Sequence, residues 1–185
     1  MKIDKLTVQR TDSEMRKLIV KSISDVSDLH SKGWVYVLQV KINGQSAVKI
    51  GSTKKGSYVR ADKIGTACRG AIKIENVDDS GEVRFYGRTE DLAKMELKMA
   101  RLEFTCSCEA KTQHTEHFDI DHKTALRVIR RWSTFCSLGP YNSMGQLSRI
   151  WSNRLQRKIK LQPITVEMRD IGKLLGTWDA FVYVP

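Results

Sequence analysis

Two short apolar runs separated by Asn43-Gly44 constrain the fold of this chain more than any other feature. The runs are Trp34–Val40 and Ala47–Ile50, and β-branched and aromatic residues dominate the first of them. An Asn-Gly pair readily adopts the positive φ angles that a two-residue hairpin turn requires. We therefore predict a β-hairpin over residues 34–52.

Helical and extended patterns alternate on both sides of this hairpin. Apolar residues recur at helical spacing over residues 11–28, and Gly33 ends that pattern. After the hairpin, the sequence predicts a helix at 58–64 and two weak strands, 71–77 and 83–86, around an Asp78–Gly81 turn. It then predicts a helix at 89–104, a loop at 106–113 and an extended piece at 116–120. A last helix of this region begins at Asp121 or Thr124 and ends at Phe135. This order predicts an α/β (α+β) fold in which helices flank a small mixed β-sheet.

Gly139-Pro140 marks the clearest boundary in the chain. We divide the sequence into an N-terminal helix over 1–32, a central domain over 33–138 and a basic, mostly helical extension over 139–185. Within the extension the pattern predicts helices at 143–160 and 164–175 and an edge strand at 180–184.

The charge of the chain predicts a polyanionic partner. Lysine and arginine number 32 against 21 acidic residues, which gives a formal net charge of +11. Such a protein is attracted to nucleic acid, which we favour over an anionic membrane. The candidate phosphate contacts are Lys54, Lys55, Arg149, Arg154, Arg157 and Lys158. Trp151 lies among the last four and either stacks on bases or packs into the core.

No apolar run is long enough to cross a bilayer, and the first ten residues lack the apolar centre of a signal peptide. We therefore expect an intracellular protein, nuclear or cytoplasmic, without a membrane partner. The sequence leaves its oligomeric state open.

Two half-motifs lie on the predicted hairpin, Gly33-Trp34-Val35-Tyr36-Val37-Leu38 and Val48-Lys49-Ile50-Gly51-Ser52-Thr53. Arg60, Glu96, Cys106-Ser107-Cys108 and His114–Phe118 follow them in order. Over residues 33–135 this set resembles the GIY-YIG nuclease superfamily, and most of all a phage and fungal branch with a Lys-Ile-Gly second half-motif and C-x-C before H-x-E-W-F. His117 replaces the tryptophan of that last motif, and Ala100 stands where the branch often has a histidine.

The resemblance implies a divalent-metal-dependent endonuclease that hydrolyses phosphodiester bonds of nucleic acid, with DNA as the expected substrate. Glu96 would hold Mg²⁺ or Mn²⁺, because these hard cations favour carboxylate and phosphate oxygens. Tyr36 would act as the general base or relay a proton, and the charge of Lys49 would help it to ionise.

The remaining motif residues have supporting roles in this interpretation. Arg60 would contact the phosphate through its planar guanidinium group. Gly51 would let the backbone turn closely beside the site. Glu116 competes with Glu96 for the carboxylate role.

Cysteine and histidine side chains in the last motif suit tetrahedral zinc. The candidate ligands are Cys106, Cys108, His114 and His117, with His122 as another possible fourth ligand. The alternative is a pair of buried, reduced cysteines beside surface histidines. Because the histidine expected at Ala100 is missing and His117 alters the last motif, a second functional hypothesis is a catalytically inactive module that binds nucleic acid or protein on a GIY-YIG scaffold.

Overall fold

The computed structural model describes residues 5–24, 30–68, 71–105, 113–161 and 177–183. These residues form a five-stranded sheet with helices on both faces, so the predicted α+β class is confirmed. Every strand pairing in the described sheet is antiparallel, and the sheet therefore does not mix parallel with antiparallel pairs.

The strands are β1 (Lys32–Ile42), β2 (Gln45–Thr53), β3 (Ile72–Arg84), β4 (Arg101–Thr105) and β5 (Gln113–Phe118), in the sheet order β3-β1-β2-β5-β4. The helices are α1 (Lys5–Val20), α2 (Ser57–Ala67), α3 (Tyr86–Glu96), α4 (His122–Ser137), α5 (Arg149–Leu161) and α6 (Asp179–Tyr183), and a 3-10 turn at Lys98–Ala100 links α3 to β4. None of the helices in these ranges is both long enough and apolar enough to span a membrane.

The predicted hairpin is confirmed. Strands β1 and β2 pair from Trp34↔Thr53 to Ile42↔Gln45, and they turn at Asn43 and Gly44, whose φ angles are 50° and 85°. Because successive side chains on a strand point to opposite faces of the sheet, Val35 and Val37 face one side while Tyr36 and Leu38 face the other.

Each face of the sheet has its own core. On one face, α2 covers a small core that includes Tyr36, Leu38 and Ile64. On the other face, α1, α3, α4, α5 and α6 cover a larger core that contains Val35, Val37 and many aromatic side chains. Trp151 belongs to this larger core and is only 6% exposed, so the interpretation of Trp151 as a packing residue is confirmed.

Three predictions of secondary structure are wrong: one turn, one helix end and one strand. Residues Asp78–Gly81 continue β3 instead of forming a turn, because β3 is an edge strand on which polar residues meet solvent and bulges against β1 are tolerated. The helix predicted to reach residue 104 ends at Glu96, and β4 follows it. The predicted strand at 180–184 is helix α6, which Asp179 opens and which buries Phe181 and Val182.

Other boundaries differ by part of an element. The first helix spans Lys5–Val20 instead of 11–28, and the basic helix begins at Arg149 because residues 143 and 144 lie in a turn. The short helix of 58–64 and the helix opened by Asp121 are confirmed as α2 and α4. The predicted helix at 164–175 and most of the loop at 106–113 lie outside the described residues.

Candidate functional site

Tyr36 lies on β1 with its ring across Gly51, its partner on β2. The tyrosine is only 2% exposed. Burial raises the pKa of its phenol, and this rise is opposed by a hydrogen bond and a positive charge from Arg60 on α2. A Cβ atom at position 51 would overlap the Tyr36 hydroxyl and would lie 2.5 Å from Cζ. Only glycine therefore leaves room for this orientation of the tyrosine ring.

We predict that Gly51→Ala will displace the Tyr36 ring and lower the free energy of unfolding by about 1–3 kcal/mol, which is typical of an overpacked core position. Urea denaturation followed by circular dichroism measures this loss. Gly87→Ala is the matched control, because a Cβ at Gly87 has open space around it. Equal stability of the two variants would contradict the close packing of Tyr36 on Gly51.

Lys49 and Glu116 form a second contact beside the tyrosine. Strands β2 and β5 pair at Lys49↔His117, and the side chain of Lys49 reaches Glu116, the residue before His117. Lys49 is 5% exposed, and its Nζ lies 2.7 Å from Glu116 Oε2. Burial raises the pKa of Glu116, but hydrogen bonds and charges from Lys49 and Lys94 outweigh it and hold the pKa at about 2. Glu116 is therefore ionised at neutral pH.

Helix α3 adds a carboxylate and an ammonium group to the same network. Lys94 Nζ lies 2.5 Å from Glu116 Oε1 and 2.5 Å from Glu90 Oε1. The hydroxyl of Ser52 donates a hydrogen bond to Glu90 Oε2. Burial lowers the pKa of Lys94, but the two carboxylates outweigh that effect and raise it. These contacts join Lys49, Glu90, Lys94 and Glu116, and the charges of both glutamates and of Arg60 act on the phenol of Tyr36. We call these six side chains the Tyr36 cluster: Tyr36, Lys49, Arg60, Glu90, Lys94 and Glu116.

A cleft of about 350 Å³ opens beside this cluster. Lys49, Arg60 and Glu116 line it together with Lys63 and His114. Three of these five side chains are basic at neutral pH, so the cleft presents positive charge to an anion. A guanidinium group beside a buried phenol and two carboxylates is a set of groups that can bind a phosphate and move a proton.

Residues 33–133 match the family model described as the T5orf172 domain. The chain belongs to the T5orf172 domain family. This domain is related to GIY-YIG-like and HNH-like phage endonucleases. The matched segment runs from β1 into α4 and contains the whole Tyr36 cluster. No curated protein and no solved structure matches the chain.

Within this T5orf172 domain, Glu96 does not join the Tyr36 cluster. It is 5% exposed, Arg131 donates a hydrogen bond to one carboxylate oxygen, and Trp132 Nε1 lies 2.7 Å from the other. Burial raises the pKa of Glu96 to about 7, against the opposing effects of Arg131 and Trp132. With both oxygens occupied inside the core, Glu96 does not fit its predicted role as a metal ligand.

Glu90, which no sequence motif singles out, is the α3 carboxylate that contacts Lys94 and Ser52 in the Tyr36 cluster. The helix rotates by about 100° per residue, so Glu96 lies about 240° around the axis from Glu90 and faces the other side of α3. The sequence does indicate that Glu90 and Lys94 lie together, because residues four apart share one face of a helix.

The basic residues of the C-terminal extension are not all available to a phosphate. Lys158 is 8% exposed, and its Nζ lies 3.3 Å from Asp12 Oδ1 and 3.8 Å from the centre of the Trp178 ring. The guanidinium carbon Cζ of Arg154 lies 4.7 Å from the centre of the Trp151 ring. Helix α5, which carries both, packs on the face of the sheet opposite Tyr36. Lys158 thus stabilises the packing of α5, which corrects its assignment as a phosphate contact, whereas for the half-buried Arg154 that role stays a prediction.

The other four predicted phosphate contacts are exposed: Lys54, Lys55, Arg149 and Arg157. Lys54 and Lys55 directly follow β2, the strand that carries Lys49 and Gly51. They are therefore placed near the Tyr36 cluster, whereas Arg149 and Arg157 belong to the helix on the opposite face.

The predicted zinc ligands are only partly described. Cys106 and Cys108 lie outside the described residues, and His122 contacts Asp78 at 3.4 Å. The rings of His114 and His117 are 5.4 Å apart, and Cys68 Sγ lies 3.8 Å from His114 Nε2. In the described ranges, no three histidine, cysteine or acidic side chains converge as metal ligands. Structural zinc therefore stays a prediction.

His117 is fully buried, and neither of its ring nitrogens has a hydrogen-bond partner among the described residues. Burial, with a smaller effect of the Lys49 charge, lowers the pKa of His117 to about 3. The unfolded chain binds this proton near pH 6.5. The stability that depends on neutral His117 is therefore complete above pH 6.5 and is lost as the pH falls toward 3.

We predict that lowering the pH from 7 to 5 costs the wild type on the order of 2 kcal/mol more than it costs His117→Phe. Urea unfolding at the two pH values measures this difference. Glu116 does not contribute in that range, because an unperturbed glutamate protonates only near pH 4.3. The exposed His30 supplies the control variant His30→Phe, which should keep the wild-type pH dependence. Equal pH dependence of wild type and His117→Phe would contradict the prediction.

Proposed function

We propose that this protein is an endonuclease that hydrolyses phosphodiester bonds of a nucleic acid, with DNA as the expected substrate and Mg²⁺ or Mn²⁺ as its metal. The observation that carries the proposal is a buried phenol, Tyr36, whose pKa responds to the charge of Arg60 and which lies close to an ion-pair network of two lysines and two carboxylates. This network lies in a T5orf172 domain and beside a cleft of positive charge.

Tyr36 is the proposed general base. A free phenol has a pKa of about 10, so it needs a nearby cation to accept a proton from water at neutral pH. On the sequence alone, Lys49 was the expected cation. Lys49, however, forms an ion pair with Glu116, whereas Arg60 is the cation that opposes the rise in the pKa of the phenol. We therefore assign to Arg60 both the stabilisation of the phenolate and the contact with the scissile phosphate.

Lys49 and Lys94 supply the remaining positive charge of the site. Each ammonium group contacts Glu116, which fixes the two lysine side chains next to one another. Negative charge develops on the phosphoryl oxygens in the transition state, and fixed cations near those oxygens stabilise it. Lys49 is buried on a strand and so is held in place without further ordering when substrate binds.

The carboxylates of Glu90 and Glu116 fit a divalent cation. Their Oε1 atoms converge on one point, which the Lys94 ammonium group holds at 2.5 Å from each. Carboxylate oxygens are the protein ligands that Mg²⁺ and Mn²⁺ prefer. When bound there, the ion would stabilise negative charge on the phosphate. We therefore assign the metal to Glu90 and Glu116 in place of Glu96.

Cleavage of a panel of plasmid, branched DNA, single strands and RNA with Mg²⁺ or Mn²⁺ tests the proposal. Cutting should require the metal and should be lost in Glu90→Gln. Glu96→Gln is the matched control, because it makes the same chemical change six residues away in the core. It should cut normally at temperatures at which it remains folded.

A second candidate is an inactive module that binds nucleic acid on the same scaffold. It is favoured by one observation, that all four oxygens of Glu90 and Glu116 already accept contacts from lysine or serine side chains. It predicts binding that weakens as salt is added, without cleavage of any member of the panel. That outcome would overturn the endonuclease proposal.

A further inference from the structure

Lys94 occupies an unusual position for a lysine on a domain surface. Its side chain is only 17% exposed, and its Nζ lies between two carboxylates that come from different elements, α3 and β5. The Oε1 atoms of Glu90 and Glu116 are separated by no more than the sum of the two 2.5 Å contacts that Lys94 makes. Two carboxylates this close repel each other unless a cation lies between them.

We propose that Lys94 is a built-in cation of this site, and that a divalent metal binds at Glu90 and Glu116 only by displacing its ammonium group. The inference deepens the proposed function, on which it rests for the role of the metal. The Lys94 ammonium group and the divalent ion compete for the same two carboxylates, and a measurement of metal binding tests this competition.

The charge balance of the Tyr36 cluster supports this competition. Glu90 and Glu116 carry two negative charges, while Lys49, Lys94 and Arg60 carry three positive ones. A divalent cation added to this set would meet a site that is already positive. Moving Lys94 away removes one unit of that charge at the position where repulsion is strongest, because the Coulomb energy rises as the distance falls.

The side chain of Lys94 is suited to such a movement. Lysine carries its charge at the end of a flexible four-carbon chain, and three donors can form new hydrogen bonds after a rotation. The cleft that would receive the phosphate is lined by Glu116, one of the two partners of Lys94. A displaced ammonium group therefore has an anionic partner nearby when substrate is bound. This predicts that metal and phosphodiester bind cooperatively, since the substrate compensates for the loss of the Lys94 ion pairs.

Titration with Mn²⁺, followed by the electron paramagnetic resonance signal of the free ion, tests the competition without any cleavage assay. Lys94→Gln should bind Mn²⁺ at least about tenfold more tightly than the wild type, because the competing charge is gone. Lys94→Arg keeps the charge and should bind as weakly as the wild type. Lys94→Met replaces Lys94→Gln if the latter does not fold.

Two controls separate this effect from a general loss of positive charge. Lys98→Gln removes another lysine of the same region, one whose Nζ lies 2.6 Å from Glu14, and should leave Mn²⁺ binding unchanged. Adding Glu90→Gln to Lys94→Gln should abolish the gain. Equal Mn²⁺ affinities of wild type and Lys94→Gln would overturn the inference, and so would a gain that survives Glu90→Gln.

The outcome is also independent of the proposed nuclease activity. Tighter Mn²⁺ binding by Lys94→Gln, together with no cleavage by any variant, would support the competition and contradict the endonuclease. Metal-dependent cleavage with unchanged Mn²⁺ affinity would support the endonuclease and contradict the competition.

Discussion

Tyr36→Phe is expected to reduce phosphodiester cleavage by at least about 100-fold, the usual contribution of a positioned general base. The variant keeps the aromatic ring that packs across Gly51 and removes only the hydroxyl that Arg60 contacts. Its free energy of unfolding should therefore stay within about 1 kcal/mol of the wild-type value, since one hydrogen bond is lost. Initial cleavage rates at saturating metal, together with urea denaturation, measure the two quantities.

Tyr58→Phe is the matched control for this prediction, because Tyr58 is 72% exposed on α2 and loses the same hydroxyl group. It should cleave at the wild-type rate. Binding of uncleaved nucleic acid should be similar in both variants, since neither removes a positive charge. A Tyr36→Phe protein that is folded and cleaves normally would exclude the tyrosine as the base and would leave the attacking water to be activated by another group.

Local sequence patterns were sufficient to predict the part of the site that lies on the hairpin. Alternation along β1 and the Asn43-Gly44 turn fix which residues of the two strands oppose each other. Tyr36, Gly51 and Lys49 could therefore be placed on one face of the sheet before any tertiary contact was known. Arg60 could be added because α2 begins only a few residues after β2 ends.

The choice between Glu90 and Glu96 could not be made in the same way. Both belong to α3, and their roles depend on which side of that helix faces the sheet. The contacts of Glu96 with Arg131 and Trp132 on α4 decide this orientation, and these two residues lie more than thirty residues after Glu96 in the chain. The motif spacing favoured Glu96, whereas packing against α4 places it in the core.

The basic composition of the C-terminal extension wrongly predicted Lys158 as a phosphate contact, again because of long-range packing. A lysine in a basic segment is usually solvated, but Lys158 lies seven residues after Trp151 and three after Leu155, on the face of α5 that packs into the core. Its partners Asp12 and Trp178 come from opposite ends of the chain and become neighbours only when α1 and the C-terminal segment pack on the same core. A long-range ion pair of this kind leaves no periodic signal in the sequence.

The largest loss of stability is expected for Arg131→Met. Arg131 is fully buried and joins Glu96 to Asp179 of α6, with 2.6 Å between Arg131 Nε and Asp179 Oδ1. Removing one partner of a buried ion pair forces the other to keep an uncompensated charge or to take up a proton, and it costs about 3–5 kcal/mol. Urea denaturation at pH 7 should show this decrease in the free energy of unfolding. Arg130→Met, one residue earlier and exposed on the same helix, should change it by no more than about 0.5 kcal/mol.

The double variant Arg131→Met, Glu96→Leu identifies the cause of that loss. Replacing a whole buried ion pair with apolar residues of similar volume is often close to neutral, because neither charge then remains in the core. The Asp179 side chain is 41% exposed and can be hydrated after Arg131 is removed. The double variant should therefore recover a large part of the lost stability, so that the two substitutions are strongly non-additive. Additive losses would mean that Glu96 and Arg131 do not stabilise each other. The carboxylate of Glu96 could then again be considered as a metal ligand beside the cleft.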